Sequence, residues 1–247
     1  MKENLIKAAN IIKSSKNCFA LTGAGISVES GIPDFRGAGG LWSKYDPSIY
    51  ANIDSFIKDP EMVWDMIFEM IDVIVSAQPN EAHISLARLE KIGILKAIVT
   101  QNIDNLHQRA GSSQVIDFHG NTAHLICLKC NNSYNTDHFQ VENNEIPHCL
   151  NCRAILKPSV IFFGEMIPPQ ALVDATELTD KADVVLVIGT SAIIYPAASI
   201  PVTAKRNGST LIEINLEETD LTSLCDLSLQ GKAAEIMPQL LDIIEEK

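Results

Sequence analysis

The chain has 247 residues, 46% of them hydrophobic and 20% charged, and a formal net charge of −12. That length buries a sizeable core and accommodates one large α/β domain, or one domain with a small insert. The acidic balance argues against a nucleic-acid backbone as the main partner, because no Lys/Arg-rich stripe is present to neutralise phosphates; it serves solubility, or favours basic partners such as lysine-rich peptides.

The first segment, MKENLIKAANIIKSS, carries Leu5, Ala8, Ala9 and Ile12 at amphipathic helical spacing. It lacks the apolar core and small-residue cleavage site of a signal peptide, and no apolar run approaches the ~18 residues of a membrane span. A cytoplasmic chain with no membrane partner is expected. Cys18 to Thr22 then reads as a short buried strand feeding LTGAGISVESGIPDFRG, Leu21 to Gly37. Gly23 and Gly25 suggest a phosphate-binding turn, yet G-x-G-x-x-G would need glycine at Val28 and the P-loop would need Lys-Ser or Lys-Thr. Neither is there.

Further strands are expected at Ile94 to Thr100, Val115 to Phe118, Val184 to Ile188 and Thr210 to Ile214, with helical patterns around Ala82, Leu86 and Leu89 and from Pro169 to Lys181. Strands alternating with helices predict an α/β fold, a doubly wound parallel Rossmann-like sheet. The last helical stretch holds Ile236, Leu240 and Ile244, so Pro238 is expected in a first turn or at a kink. Two segments interrupt the alternation. Residues 41–75 contain the helical pattern Val63, Met66, Ile67, Met70, Ile74, and residues 121–155 hold four cysteines. The expected division is therefore a Rossmann-like domain of 1–40, 76–120 and 156–247, with a helical insert at 41–75 and a zinc-ribbon insert at 121–155.

Cys127 and Cys130, then 18 intervening residues, then Cys149 and Cys152 form two C-x2-C pairs within zinc-ribbon spacing. Four thiolates close a tetrahedral shell, so one structural zinc ion is expected, holding together an insert too small to bury much core of its own. Disulfides or reduced buried thiols are the alternatives. His148 is a substitute ligand or an exposed loop residue, and Cys18 and Cys225 read as packing residues.

Ligands of open α/β sheets bind outside the carboxyl ends of the strands. Ala24 to Arg36, Gln101 to Asp104 and His119 converge there, joined by Gly189 to Ser191 and Ile214 to Glu217. Singly, Asn102 and Asp104 also fit a helix cap, His119 a core histidine, Asp34 and Arg36 a surface ion pair, and Gly189 with Ser191 a turn. Jointly they favour a nucleotide site with His119 as acid or base.

GAGISVESGIPDFR, TQNID, HG, the two C-x2-C pairs, FFGE at Phe162 to Glu165 and GTSAIIYPA occur in one order. Together they resemble the sirtuin family of NAD-dependent protein lysine deacylases, from about Ala8 to Leu241. The resemblance implies NAD as co-substrate, contacted by Gly23, Ala24, Gly25, Asp34, Phe35 and Arg36, with Phe35 on a loop covering nicotinamide. It implies that Gln101, Asn102, Ile103 and Asp104 shape the nicotinamide and ribose pocket, that Gly189, Ser191, Asn215 and Glu217 cradle the adenosine half, and that His119 is catalytic, with Asn102 and Asp104 beside it. Acylated lysine-containing proteins or peptides are the implied substrates, adding as a strand between VIFFGE and SAIIYP, so that Val160, Phe162, Gly164 and Glu165 contact them. Relatives specialised for acidic acyl chains carry a Tyr-x-x-Arg pair, and alignment through Trp64 puts Ile67 and Met70 there. Both are apolar, so removal of acetyl or longer fatty acyl groups is expected rather than succinyl. The rival readings are an NAD hydrolase or mono-ADP-ribosyltransferase, a conventional dehydrogenase, and a non-catalytic NAD/zinc interaction module.

Overall fold

The computed structural model describes residues 2–34, 44–139, 141 and 144–246. Helix α1 (Lys2–Ser14) leads into β1 (Cys18–Thr22) and a 3-10 turn (Ala24–Ser30). Three helices follow, α2 (Pro47–Tyr50), α3 (Ile53–Lys58) and α4 (Pro60–Ser76). Each starts on an Asp or Asn side chain, Asp46, Asn52 and Asp59 respectively, that accepts the backbone N–H of Ser48, Asp54 and Met62, satisfying one of the donors a helix start leaves unpaired. Next come α5 (Glu81–Lys91), β2 (Leu95–Thr100), α6 (Leu106–Arg109), β3 (Val115–Asp117), β4 (Gly120–Ile126), β5 (Ser133–Asn135) and β6 (Lys157–Val160). The chain closes with α7 (Pro169–Lys181), β7 (Val184–Ile188), α8 (Ser199–Arg206), β8 (Thr210–Asn215), β9 (Leu227–Gln230) and α9 (Ala233–Glu245).

Six strands form one parallel sheet in the order β3-β2-β1-β7-β8-β9. Every residue of β1 and β7 is buried, as the continuous apolar runs require of strands covered on both faces. Leu5, Ile12, Leu86, Leu89, Met237 and Leu240 bring α1, α5 and α9 onto one face, while Ala175, Ile200 and Ala204 bring α7 and α8 onto the other. The doubly wound reading holds. The strand order reverses beside β1, so the crevice between β1 and β7 is the switch point at which such sheets bind ligands.

A second, antiparallel sheet, β5-β4-β6, carries its own core. Phe56, Val63, Trp64, Met66 and Ile67 of the helical segment pack there with Leu125, Leu156, Val160 and Phe162. The Trp64 indole N–H donates to the Leu156 carbonyl at 2.9 Å, joining the first interrupting segment to the residue that directly follows the second. Among the described residues no helix is long and apolar enough to cross a membrane.

Two local details differ from the expected pattern. Of the two places expected for Pro238, a first turn or a kink, the first is excluded, since it lies in the second turn of α9, which begins at Ala233. Strand β9 was not expected, because Leu227–Gln230 is short and lies at the sheet edge, where only Leu227 and Leu229 turn inward.

Candidate functional site

A cavity of about 1310 Å³ opens along the carboxyl ends of β1, β2 and β7 and continues toward the smaller sheet. Such a volume exceeds the usual range for one drug-sized ligand and suits a dinucleotide with a second substrate. Gly23, Ala24, Gly25, Asp34, Gln101, Asn102, Ile103, His119, Gly189, Ser191, Asn215 and Glu217 all line it, as do Met70, Val160, Phe162, Gly164 and Glu165. Phe35 and Arg36 lie outside the described residues.

The glycines of the first turn are shaped by the neighbouring strand as much as by any ligand. A Cβ on Gly23 would stand 2.7 Å from Thr190 Cβ, closer than real contacts allow. Gly189 itself has φ +60°, a left-handed conformation that glycine adopts freely. Backbones thus meet where β1 and β7 end, and the crevice floor is bare main chain.

Across this floor runs a directed set of hydrogen bonds. Gln101 Nε2 donates to Thr190 Oγ1 at 2.9 Å, and Asn215 Nδ2 donates to the Thr190 carbonyl at 2.9 Å. Asn102 Nδ2 donates to the Gly23 carbonyl and to Ser27 Oγ, and Ser27 Oγ donates to Asp104 Oδ2 at 2.7 Å. The other Asp104 oxygen accepts the Leu106 N–H at 2.9 Å, just ahead of α6, whose cap position is Asn105 with no side-chain cap bond; neither Asp104 nor Asn102 is the cap. Asp104 is buried below the cavity and does not line it; burial pushes its carboxyl up, against the pull of these hydrogen bonds. Asn102 Oδ1 is buried with no hydrogen-bond partner among the described residues. An acceptor left so at a cavity wall fits a ligand bearing N–H or O–H donors, as the amide and ribose of NAD do.

His119 follows β3 and packs edge-on against buried Phe118, with ring centroids 5.7 Å apart. Its Nδ1 sits 3.2 Å from the Gln101 carbonyl oxygen. A carbonyl only accepts, so Nδ1 carries the proton and Nε2 keeps its lone pair, an assignment made from the hydrogen-bond network. Burial holds the ring below the ordinary histidine value, partly offset by the Gln101 carbonyl. At neutral pH His119 is therefore a neutral base.

On the opposite wall Met66 and Met70 face the cavity, one helical turn apart on α4. Ile67, expected beside them, is fully buried in the smaller core and does not line the cavity, since consecutive helix positions point about 100° apart. Lys232 is the only Lys or Arg among the described lining residues, and it lies next to Gly231 and Ala233 at the start of α9. The acyl side of the cavity presents no cation among the described residues.

Sequence reasoning missed Ser27, Thr190 and Lys232. Ser27 and Thr190 are single hydroxyls inside stretches read for their glycines. Lys232 follows the unexpected strand β9; the Leu227, Leu229 alternation before Gly231 was the available signal.

The sulfurs of Cys127, Cys130, Cys149 and Cys152 all lie within 4.8 Å of one another. Cys127 and Cys152 are 3.4 Å apart and Cys130 and Cys149 3.5 Å, far beyond a disulfide bond but near the ~3.8 Å between ligands of a tetrahedral zinc with ~2.3 Å bonds. The two turns match. Asn131 N–H donates to the Cys127 carbonyl at 2.8 Å and Arg153 N–H to the Cys149 carbonyl at 2.9 Å, with Asn131 and Arg153 both left-handed. The four-cysteine cluster fits a structural zinc. His148 is exposed, is not part of the cluster, and shares a hydrogen bond between its Nδ1 and the Ile146 carbonyl.

Residues 23–196 match the profile of the Sir2 family. Over 245 residues the chain is 47% identical to NAD-dependent protein deacylase 1 of Archaeoglobus fulgidus, covering 98% of this chain and 97% of that protein. A Sir2 homologue solved as a complex with NAD superposes with TM-score 0.89 at 46% identity, covering 96% of this chain and 93% of that one. Sir2Af2 bound to a myristoylated histone peptide superposes with TM-score 0.85 at 36% identity, covering 99% and 98%.

Proposed function

The chain belongs to the Sir2 family, and on that premise we propose that it is an NAD-dependent protein lysine deacylase that removes acetyl or longer fatty acyl groups. The observation that carries this reading is His119, a partly buried neutral base on the wall of a cavity shared by the nucleotide crevice and the smaller sheet.

In the reaction, the acyl oxygen of the substrate lysine attacks the ribose carbon of NAD as nicotinamide leaves. Positive charge develops on the sugar, which favours a site closed to water with the nucleophile already aligned. His119 Nε2 then accepts the proton of a neighbouring ribose hydroxyl, whose oxygen bonds to the acyl carbon. The lysine amine leaves that carbon with a proton and one water adds to it. The acyl group thus ends as an ester on the ribose while its original oxygen stays on the anomeric carbon, giving O-acyl-ADP-ribose and free lysine. Gly23, Ala24, Gly25, Gln101 and Asn102 would hold the nicotinamide and ribose half, and Gly189, Ser191, Asn215 and Glu217 the adenosine half. Asp104 acts from below, holding Ser27 and through it Asn102. Asp34, Phe35 and Arg36 belong to the same NAD-binding set.

The substrate peptide pairs with the main chain of Val160 to Glu165, and its acyl group lies against Met66, Met70, Val160 and Phe162. Methionines adapt to chains of different length. The zinc supplies structure: four thiolates leave no open ligand position, so no chemical step passes through it. A cytoplasmic location is part of the proposal, supported by four cysteines arranged for metal, a state that oxidising compartments oppose. The division into a Rossmann-like body and one smaller module built from both inserts is likewise proposed, supported by the separate core around Trp64 and Leu125.

The test is a panel of acetyl-, succinyl- and myristoyl-lysine peptides with NAD, monitored for nicotinamide and O-acyl-ADP-ribose. Deacylation of acetyl or myristoyl peptide faster than succinyl is expected. Nicotinamide release at the same rate without any peptide would instead identify an NAD hydrolase.

A further inference from the structure

Lys157 is fully buried on β6, and the chemistry above makes no use of it. Its three ammonium hydrogens have three acceptors: the Pro158 carbonyl at 3.1 Å, the Val160 carbonyl at 2.5 Å and Glu165 Oε2 at 2.9 Å. The ammonium also sits 4.3 Å from the centre of the Phe162 ring. Glu165 Oε2 in turn accepts the Phe162 N–H at 2.7 Å. Val160, Phe162 and Glu165 all line the cavity.

One peptide group links this cluster to the base. The Val160 carbonyl and the Ile161 N–H belong to a single planar unit. Its oxygen is held by Lys157, and its N–H donates to the His119 carbonyl at 2.8 Å. The plane is clamped from both ends. Gly120, the residue after His119, packs so closely against the preceding Ser159–Val160 peptide that a Cβ there would lie 1.8 Å from the Ser159 carbonyl oxygen. Little room remains for this wall to shift without moving His119's own backbone.

We propose that Lys157 is a positioning residue which, through the Val160–Ile161 peptide plane and the Phe162 ring, sets the acyl-lysine wall of the cavity relative to His119. The proposal rests on the deacylase reading of the site. A buried ion pair kept only for stability could be exchanged for a neutral pair of similar volume at little cost. A charge whose partners are cavity-lining groups has a further effect, since removing it frees the substrate wall while leaving the nucleotide crevice between β1 and β7 as it was.

The test uses Lys157→Met and the double variant Lys157→Met with Glu165→Gln, the second because Lys157→Met alone leaves a mostly buried carboxylate without its cation. Folding, zinc content, NAD binding and steady-state kinetics with an acetyl-lysine peptide are measured against wild type. The double variant is expected to fold, to keep one zinc per chain and to bind NAD within about 2-fold of wild type. Its KM for the peptide is expected to rise about 10-fold, with kcat changed less than about 3-fold. An unchanged peptide KM overturns the proposal, and so does a double variant that cannot fold or that loses NAD affinity in equal measure, for the pair is then a general structural requirement. If wild type neither binds nor turns over acyl peptide, the deacylase reading fails and takes the proposal with it.

Discussion

Gly25 donates its N–H to the Gly189 carbonyl at 2.8 Å, and a Cβ on Gly25 would stand 2.7 Å from Gly189 Cα. Two turns from opposite sides of the strand-order reversal are thereby pressed together to make the crevice floor. Gly25→Ala forces them apart. The expected cost is about 1–3 kcal/mol of stability, in line with other overpacked sites, together with a fall in NAD affinity of about 10-fold or more. Thermal unfolding and NAD titration check this, and an alanine variant with native affinity would show that the contact is incidental.

The His119 tautomer leads to a second expectation. Removing the ring in His119→Ala is expected to lower turnover at least about 100-fold, the low end of what a positioned base contributes, with zinc content and unfolding temperature preserved. Because burial holds the ring below the ordinary histidine value, the neutral base persists into mild acid. The acid limb of kcat/KM should therefore fall below the ordinary histidine range, measured as a pH profile with acetyl peptide.

Stability, unlike turnover, should respond to His83. This side chain is fully buried, its Nδ1 accepts the Asn80 N–H at 3.3 Å, and burial lowers it from 6.5 to about 4. The unfolded chain binds the proton first as pH falls. Stability is then complete above about pH 6.5 and declines toward about pH 4 by on the order of 3 kcal/mol. Urea unfolding of wild type and His83→Gln across this interval should show a shallower slope for the variant.

Glu213 is fully buried on β8, where its carboxylate accepts the hydroxyls of Thr219, Thr222 and Ser228 at 2.5, 2.7 and 3.0 Å. Thr219 belongs to the segment running from Asn215 along the adenosine end of the cavity. Glu213→Ala removes the acceptor shared by all three donors and is expected to cost about 3 kcal/mol, the scale of hydrogen bonds to a charged group. The KM for NAD should rise several-fold while kcat with saturating NAD changes little.

Chelating the metal should unfold the smaller module, since its cysteine turns have no covalent link among the described residues. Loss of one zinc per chain, a drop in strand signal and loss of deacylation are expected together. Retained activity at zero zinc would contradict a structural role.

The parallel sheet was legible because buried strands write themselves as apolar runs: Cys18–Thr22 and Val184–Ile188 fall where they were expected. The metal cluster was legible because its ligands are close in sequence. Less visible were relationships set by side-chain direction. Ile67 and Met66 are neighbours with the same periodic signature, and only packing decides which meets the cavity. Lys157 resembles a surface lysine until its acceptors, two carbonyls of its own strand and the Glu165 carboxylate beyond the strand's end, fold round it.

The Trp64 hydrogen bond spans 92 residues of chain. At roughly 5–20 residues per second of synthesis, about 5–18 s separate the making of α4 from the making of its indole's acceptor. For the first part of that interval Val63, Trp64, Met66 and Ile67 have no sheet to pack on; β4 and β5 are made within it and β6 only after it, and both cysteine pairs are also delivered before Leu156. The helix is thus only partly covered until Cys149, Cys152 and Leu156 have been made, so completion of the metal site and completion of this core fall at nearly the same point of synthesis.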